Sequence, residues 1–214
     1  MNKDTQSLSL DDRHFFAFEV QPANRLVDLA ADLITSRQNV SPKRLVEPGP
    51  TTEQIEHMFN AAAAAPDHGL LTPWRFILVP ELRRVDLAEV FALALIDRDP
   101  SATLEQIEDA RAKAYRAPFL ALAVARLGSC ESNIPTLERM VSLGAAIQNI
   151  LLSAQSHGFG SGLTSGQAMQ SVRMRNLFEL AEGDEAVCFV NVGTVSKRKT
   201  SRLRPNANNF VSTL

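Results

Sequence analysis

From Thr136 to Gly166 the chain reads TLERMVSLGAAIQNILLSAQSHGFGSGLTSG, and its two halves follow different rules. In the first half Met140, Leu143, Gly144, Ile147, Leu151 and Ala154 recur at three- and four-residue steps, the spacing of one helix face. The spacing predicts a helix from Thr136 to about His157, the strongest helical signal in the chain, running through the centre of the molecule. In the second half glycines crowd together. Gly158, directly after the helix, suits a left-handed C-cap. Gly160 to Gly166 has two readings: bare backbone where a flat ligand lies close to the chain, or a flexible loop. A dinucleotide-binding turn is set aside, because its glycines must leave a strand and here they leave a helix.

Outward from this stretch, Pro118 to Ala125 is a short, fully apolar run and reads as a buried strand. Trp74 to Val79, interrupted only by Arg75, and Ala186 to Val195 read the same way. Leu26, Leu29, Ala30, Leu33 and Ile34 repeat at helical spacing after Asn24, an N-cap residue type. Thr51 or Thr52 caps a second helix running to Ala65. Further helices are expected from about Leu82 to Ile96, from Ala102 to Ala114, and through Val172, Leu177 and Phe178. Arg37 to Pro50 carries three prolines and a glycine and reads as a long loop. Helices and strands are mixed without regular alternation, so the fold class is α+β. Residues 1–22 form an N-terminal extension, and 23–214 a single domain of a size that buries its own core.

Composition narrows the function. Of the 214 residues 45% are hydrophobic, 21% are charged and the formal net charge is -2, which argues against a nucleic-acid partner. The apolar stretch Ala114 to Leu127 is broken by Arg116 and Arg126 and is too short for a membrane span. The start of the chain shows no secretory pattern, so a cytoplasmic protein is expected. Cys130 and Cys188 stand alone, without disulfide or zinc spacing, and read as buried small hydrophobes. His68 has no second metal ligand at usable spacing, with His57 on the preceding helix and His157 far away. No GxSxG elbow surrounds a serine, so covalent hydrolysis has no support. Arg37, Lys43 and Arg44 near one end, and Lys197, Arg198, Lys199, Arg202 and Arg204 near the other, either converge on one phosphate or form solvated surface.

Several motifs in order then resemble one family. They are Arg37-Gln38-Asn39-Val40-Ser41, Leu45-Val46-Glu47-Pro48 with Pro50, Ala65-Pro66-Asp67-His68, Pro73-Trp74-Arg75-Phe76, Gly158-Phe159-Gly160, and Val192-Gly193-Thr194 followed by Lys197 and Arg198. Over about residues 25 to 214 this resembles the nitroreductase superfamily, most closely its short bacterial YdjA-like branch. The resemblance implies a central, mostly antiparallel sheet flanked by helices, in a domain-exchanged homodimer. It also implies an FMN-dependent oxidoreductase that takes hydride from NADH or NADPH and passes it to a small acceptor of the nitroaromatic, quinone or enone type, in a ping-pong cycle. Arg37, Gln38 and Asn39 would meet the phosphate and ribityl chain, with Lys197 or Arg198 adding charge. His68 would reach the flavin from the partner, and Leu163, Thr164 and Ser165 would lie along its ring. No side chain need be catalytic, since the flavin carries the chemistry.

The sequence departs from the family where arginine and serine are usual (Gln38, Asn39), where the branch often has tryptophan and arginine (Leu163, Thr164), where proline is usual (Val195), and at Ala64, where relatives place a cofactor-contacting arginine. Weaker FMN retention is expected. The rival readings are a flavin-binding or storage module without turnover, and a scaffold that has lost FMN and keeps only its dimer core along Thr136 to His157. Residues 81 to 114 are placed to cover a flavin.

Overall fold

The computed structural model describes residues 23–128, 133–200 and 203–214. The expected extension 1–22, Cys130 and Arg202 lie outside the described residues.

The three apolar runs become adjacent strands of one sheet. Strand β3 (Phe119–Arg126) pairs antiparallel with β2 (Trp74–Leu78) on one side and with β5 (Asp184–Val195) on the other. All of β3 except Arg126 is buried, as a strand covered on both faces must be. Its odd-numbered residues Phe119, Ala121, Ala123 and Ala125 cluster with helices α2 (Thr52–Ala63) and α5 (Thr136–Ser156). Its even-numbered Leu120, Leu122 and Val124 cluster with α3 (Arg84–Arg98) and α6 (Val172–Leu177). Three alanines on the α5 side leave space for Leu143, Ile147, Ile150 and Leu151 of that helix. Burying each such side chain contributes roughly 1.5–3 kcal/mol. The remaining helices are α1 (Ala23–Ser36), which starts one residue ahead of Asn24, and α4 (Leu104–Ala112).

Caps follow the sequence. Thr51 and Gln54 form a capping box at α2, and Thr103 and Gln106 another at α4. At the end of α5, Gly158 takes φ 84° and its N–H donates to Gln155 O, while Phe159 N donates to Ala154 O. That pair is a Schellman cap, which confirms the reading of Gly158.

One expectation is corrected. Gly160 to Gly166 is not a flexible loop: Gly160–Thr164 is a strand, β4, antiparallel to β5. Its glycines are there because the chain crosses itself. A Cβ on Gly162 would stand 2.2 Å from Val40 O, and one on Gly160 2.3 Å from Val195 Cγ2. The loop after α1 thus lies directly on β4, where Val40 N donates to Ser161 O at 2.9 Å. That loop also contains a two-residue strand, β1 (Leu45–Val46), antiparallel to the end of β5. Every pairing between named strands is antiparallel, and among the described residues the one parallel contact is the isolated Asn39–Ser161 bridge.

Candidate functional site

Pairing of β1 with β5 decides where the charges go. Leu45 stands opposite Val195, so Arg44 and the run Lys197-Arg198-Lys199 leave the same end of the ribbon side by side. Arg44 O accepts from Ser196 N at 3.0 Å, and Arg44 Nη1 reaches Lys197 O at 3.3 Å. The tail returns across this surface and Arg204 Nη2 donates to Arg37 O at 2.6 Å. The two basic clusters, far apart in sequence, therefore converge.

They line two adjoining cavities. One, of about 280 Å³, is walled by Arg37, Gln38, Asn39, Arg44, Lys199 and Arg204. The other, of about 90 Å³, shares Gln38, Asn39, Arg44 and Lys199 and adds Lys197 and Arg198. Among the described residues no carboxylate lines either one. Arg37 Nε is buried and, among the described residues, has no hydrogen-bond partner. Burial first, then the nearby Arg204 charge, hold the Arg37 guanidinium below its ordinary pKa. A cation desolvated beside other cations is costly unless an anion completes the set.

A third cavity, of about 470 Å³, lies between α3, α4 and the end of β4, and Ser41 lines both this one and the larger basic cavity. Its walls are apolar at Phe91, Leu95, Leu120, Met169 and Phe189, and polar at Thr164 and Ser165. Gly166 lines it too, with nothing within 4 Å of where a Cβ would sit. Of the segment's glycines just discussed, this one presents bare backbone to open space.

The predicted residues divide into groups. Arg37, Gln38, Asn39, Lys197 and Arg198 meet around the basic cavities, and Thr164 and Ser165 line the apolar one. Leu163 is part-exposed at the end of β4, where its N–H donates to Asn39 Oδ1 at 3.1 Å. Asn39 therefore positions the strand as well as facing the cavity. Thr164 Oγ1 accepts from the buried Asn191 Nδ2 at 3.0 Å, which fixes its rotamer. Ala64 and His68 line none of these cavities. Both lie at or beyond the end of α2, where the His68 imidazole is exposed and its Nδ1 sits 2.9 Å from Glu138 Oε2. Arg44, Lys199 and Arg204 were visible in sequence as charge but carried no signal of their own for this site. Arg98, Lys113 and Arg116, also at the apolar cavity, sit at the end of α3 and in the turn between α4 and β3 and had none. Cys188 is buried, and burial pushes its thiol up to about 11, as a core residue rather than a nucleophile. No group of three metal-ligating side chains occurs among the described residues, and no helix there is long and apolar enough to cross a membrane.

An antiparallel sheet flanked by helices, with a cation-lined cavity beside an apolar one, agrees with the nitroreductase-like fold that the sequence resemblance implies. The nitroreductase family model matches residues 40–194. Escherichia coli (strain K12) YdjA, provisionally named an NAD(P)H nitroreductase, is 32% identical over 186 residues, which is 86% of this chain and 98% of that protein. The crystal structure of a nitroreductase-like family protein from Bacillus cereus superposes with a TM-score of 0.74 at 17% identity, covering 86% of this chain and 95% of that one. An FMN-dependent nitroreductase from Clostridium difficile R20291 gives 0.57 at 16% identity, over 83% of this chain and 92% of that one. The chain belongs to the nitroreductase family, a family of oxidoreductases.

Proposed function

We propose that the chain is an FMN-dependent NAD(P)H oxidoreductase that passes hydride to a small acceptor by a ping-pong cycle. The observation that carries this is Arg37, a desolvated cation with no anionic partner among the described residues, lining a cavity ringed by Arg44, Lys199 and Arg204. A phosphate monoester fits that donor set by charge, and the adjoining apolar cavity fits a flat ring. Bound there, FMN supplies the hydride chemistry between reduced nicotinamide and acceptor. The residues of the chain bind and orient. Arg37, Arg44 and the cations after β5 hold the phosphate, Asn39 fixes the end of β4, and the backbone from Thr164 to Gly166 offers amides beside the ring. Helices α3 and α4 wall one side of the apolar cavity. The YdjA name and that of the Clostridium difficile relative support the donor and the cofactor.

The working form we propose is a homodimer, in which His68 and the Ala64 surface of one chain meet the flavin of the other. Three apolar surfaces support it. Leu26, Val27, Leu29 and Ile34 of α1, Leu137 and Val141 of α5, and Phe210, Val211 and Leu214 of the tail are all more than half exposed, and large apolar side chains left in the open suit a contact with a second copy.

The visible spectrum of the purified protein, as isolated and after FMN addition and desalting, then with NADH or NADPH under anaerobic conditions, tests the reading. Flavin bands that bleach with nicotinamide are expected. The replaced positions Gln38, Leu163 and Thr164 favour one second reading, a flavin-binding module without turnover, and bound flavin that never bleaches selects it. Absence of flavin binding overturns both.

A further inference from the structure

The 470 Å³ cavity has one feature that flavin binding does not use: three cations, Arg98, Lys113 and Arg116, gathered at its wall. We propose that this cavity takes a planar apolar acceptor bearing one carboxylate, with Arg98, Lys113 and Arg116 holding the anion while Phe91, Leu95 and Phe189 pack on the ring. The word acceptor rests on the reductase reading above; the charge argument does not.

Among the described residues none of the three cations forms a close ion pair with a carboxylate, and only Arg98 acts on one from a distance, Asp99, whose carboxyl is held below the usual range by its hydrogen bonds from Ser101 first and by the Arg98 charge after them. Carboxylates are close by, but other arginines take them. Arg111 bonds Glu89 at 2.7 Å and Glu108 at 2.6 Å, and Arg173 bonds Asp97 at 2.6 Å. Asp99, adjacent to Arg98 in sequence, accepts from Ser101 N and Oγ instead. Arg111 and Arg173 are thus neutralised away from the cavity, while among the described residues Lys113 and Arg116 have no ion-pair partner, Arg98 interacts with Asp99 only through space, and no carboxylate lines the cavity to oppose an incoming anion. Arg116, half-buried, is drier than an ordinary surface arginine, so a contact made there is less screened. A planar guanidinium grips a carboxylate through two parallel N–H donors, which fixes the orientation of the attached ring. An apolar floor with cations on one side discriminates against uncharged analogues, because they leave the cations unpaired.

Calorimetric titration of 4-nitrobenzoate and of its methyl ester into FMN-supplemented protein tests this, with wild type beside a Lys113→Gln/Arg116→Gln double variant. Among the described residues neither substitution removes an internal hydrogen bond or ion pair, so the variant is expected to fold, and unchanged binding of the ester checks it. The acid is expected to bind at least tenfold more tightly than the ester in wild type, and that preference is expected to vanish in the variant. Equal affinity for acid and ester in wild type, or a preference that survives in the variant, overturns the assignment. Bleaching of flavin by NADH on the same samples separates the two readings: bleaching without acid preference sinks only this inference, and acid preference without bound flavin sinks only the reductase.

Discussion

The guanidinium of Arg204 donates to the carbonyl oxygen of Arg37 across 2.6 Å, fastening the tail to the loop after α1 and setting two cations together. An isolated chain gains one hydrogen bond from this arrangement and loses Coulomb energy between the charges. The balance turns favourable when a dianion sits between them.

Replacing Arg204 with Gln removes that charge and, on the phosphate reading, one charge-assisted hydrogen bond of about 1.5–3 kcal/mol. FMN affinity, followed by quenching of flavin fluorescence, is expected to fall about ten- to a hundredfold. Millimolar phosphate is expected to raise the melting temperature of wild type and to do so less in the variant. A variant that holds FMN as wild type does would remove Arg204 from the site.

Helix α5 gives the oligomer prediction. Leu137 and Val141 lie one turn apart on its exposed side, and Gly144 follows with open space over it. A Val141→Asp change buries an unpaired charge only if a second copy covers that face. Light scattering on wild type is expected to give twice the 23.4 kDa of the chain, and on the variant a single chain with its flavin lost. A monomeric wild type, or a dimer indifferent to Val141→Asp, would contradict the proposed assembly.

Much of the fold was legible because burial and secondary structure agree along β2, β3 and β5, where continuous apolar runs are what a doubly covered sheet requires. The helix Thr136–Ser156 and the cap at Gly158 were legible for the same reason. β4 was not, because glycine is depleted in strands and signals a loop; its glycines answer to Val40 and Val195, more than a hundred and thirty residues apart in sequence. β1 has two residues, too few for any period. At the site, Arg37 and Lys197 stood out as charge, but only the β1–β5 register brings Arg44 beside them. The cations at the apolar cavity share no motif, since helix packing alone assembles them.

Arg84 is 1% exposed and its guanidinium donates to Val79 O at 3.0 Å, Ala114 O at 2.6 Å and Pro118 O at 3.1 Å. These bonds tie the start of α3 to the chain on both sides of the turn into β3. Arg84→Met leaves three carbonyls without a donor, at roughly 1–3 kcal/mol for each that water cannot reach. Urea unfolding is expected to show a loss of about 3–5 kcal/mol, near the upper end for a single substitution. Arg84→Lys, with its compact ammonium, is expected to recover less than half of it. A loss under 1 kcal/mol for Arg84→Met would mean that the segment relaxes and finds other donors.

Cys188 supplies a pH dependence. Burial raises its thiol pKa from 9.0 to about 11, so the folded state keeps a proton that the unfolded chain releases. Stability from this group is full below pH 9 and declines as pH rises from 9 towards 11. In a Cys130→Ser background, thiol labelling at pH 8 is expected to track global unfolding rather than thiolate fraction. Rapid labelling of folded protein would show the thiol accessible and its pKa unshifted.

Gly162 and Gly166 belong to one glycine-rich segment but answer to different constraints, which a pair of alanine substitutions separates. At Gly162 a Cβ would stand 2.2 Å from Val40 O, a backbone atom that cannot yield without breaking the Val40–Ser161 hydrogen bond and shifting Asn39 off Leu163. At Gly166 a Cβ meets nothing within 4 Å, and φ of 172° is extended backbone open to any residue. Gly162→Ala is therefore expected to lower the melting temperature by several degrees and to weaken FMN binding, because the loop bearing Arg37 and Asn39 loses its seat. Gly166→Ala is expected to melt as wild type does and to act only on ligands, by adding a methyl group to the cavity wall. Equal destabilisation by both would mean that the segment needs glycine for its backbone throughout; no effect from Gly162→Ala would mean that the loop is not seated on β4.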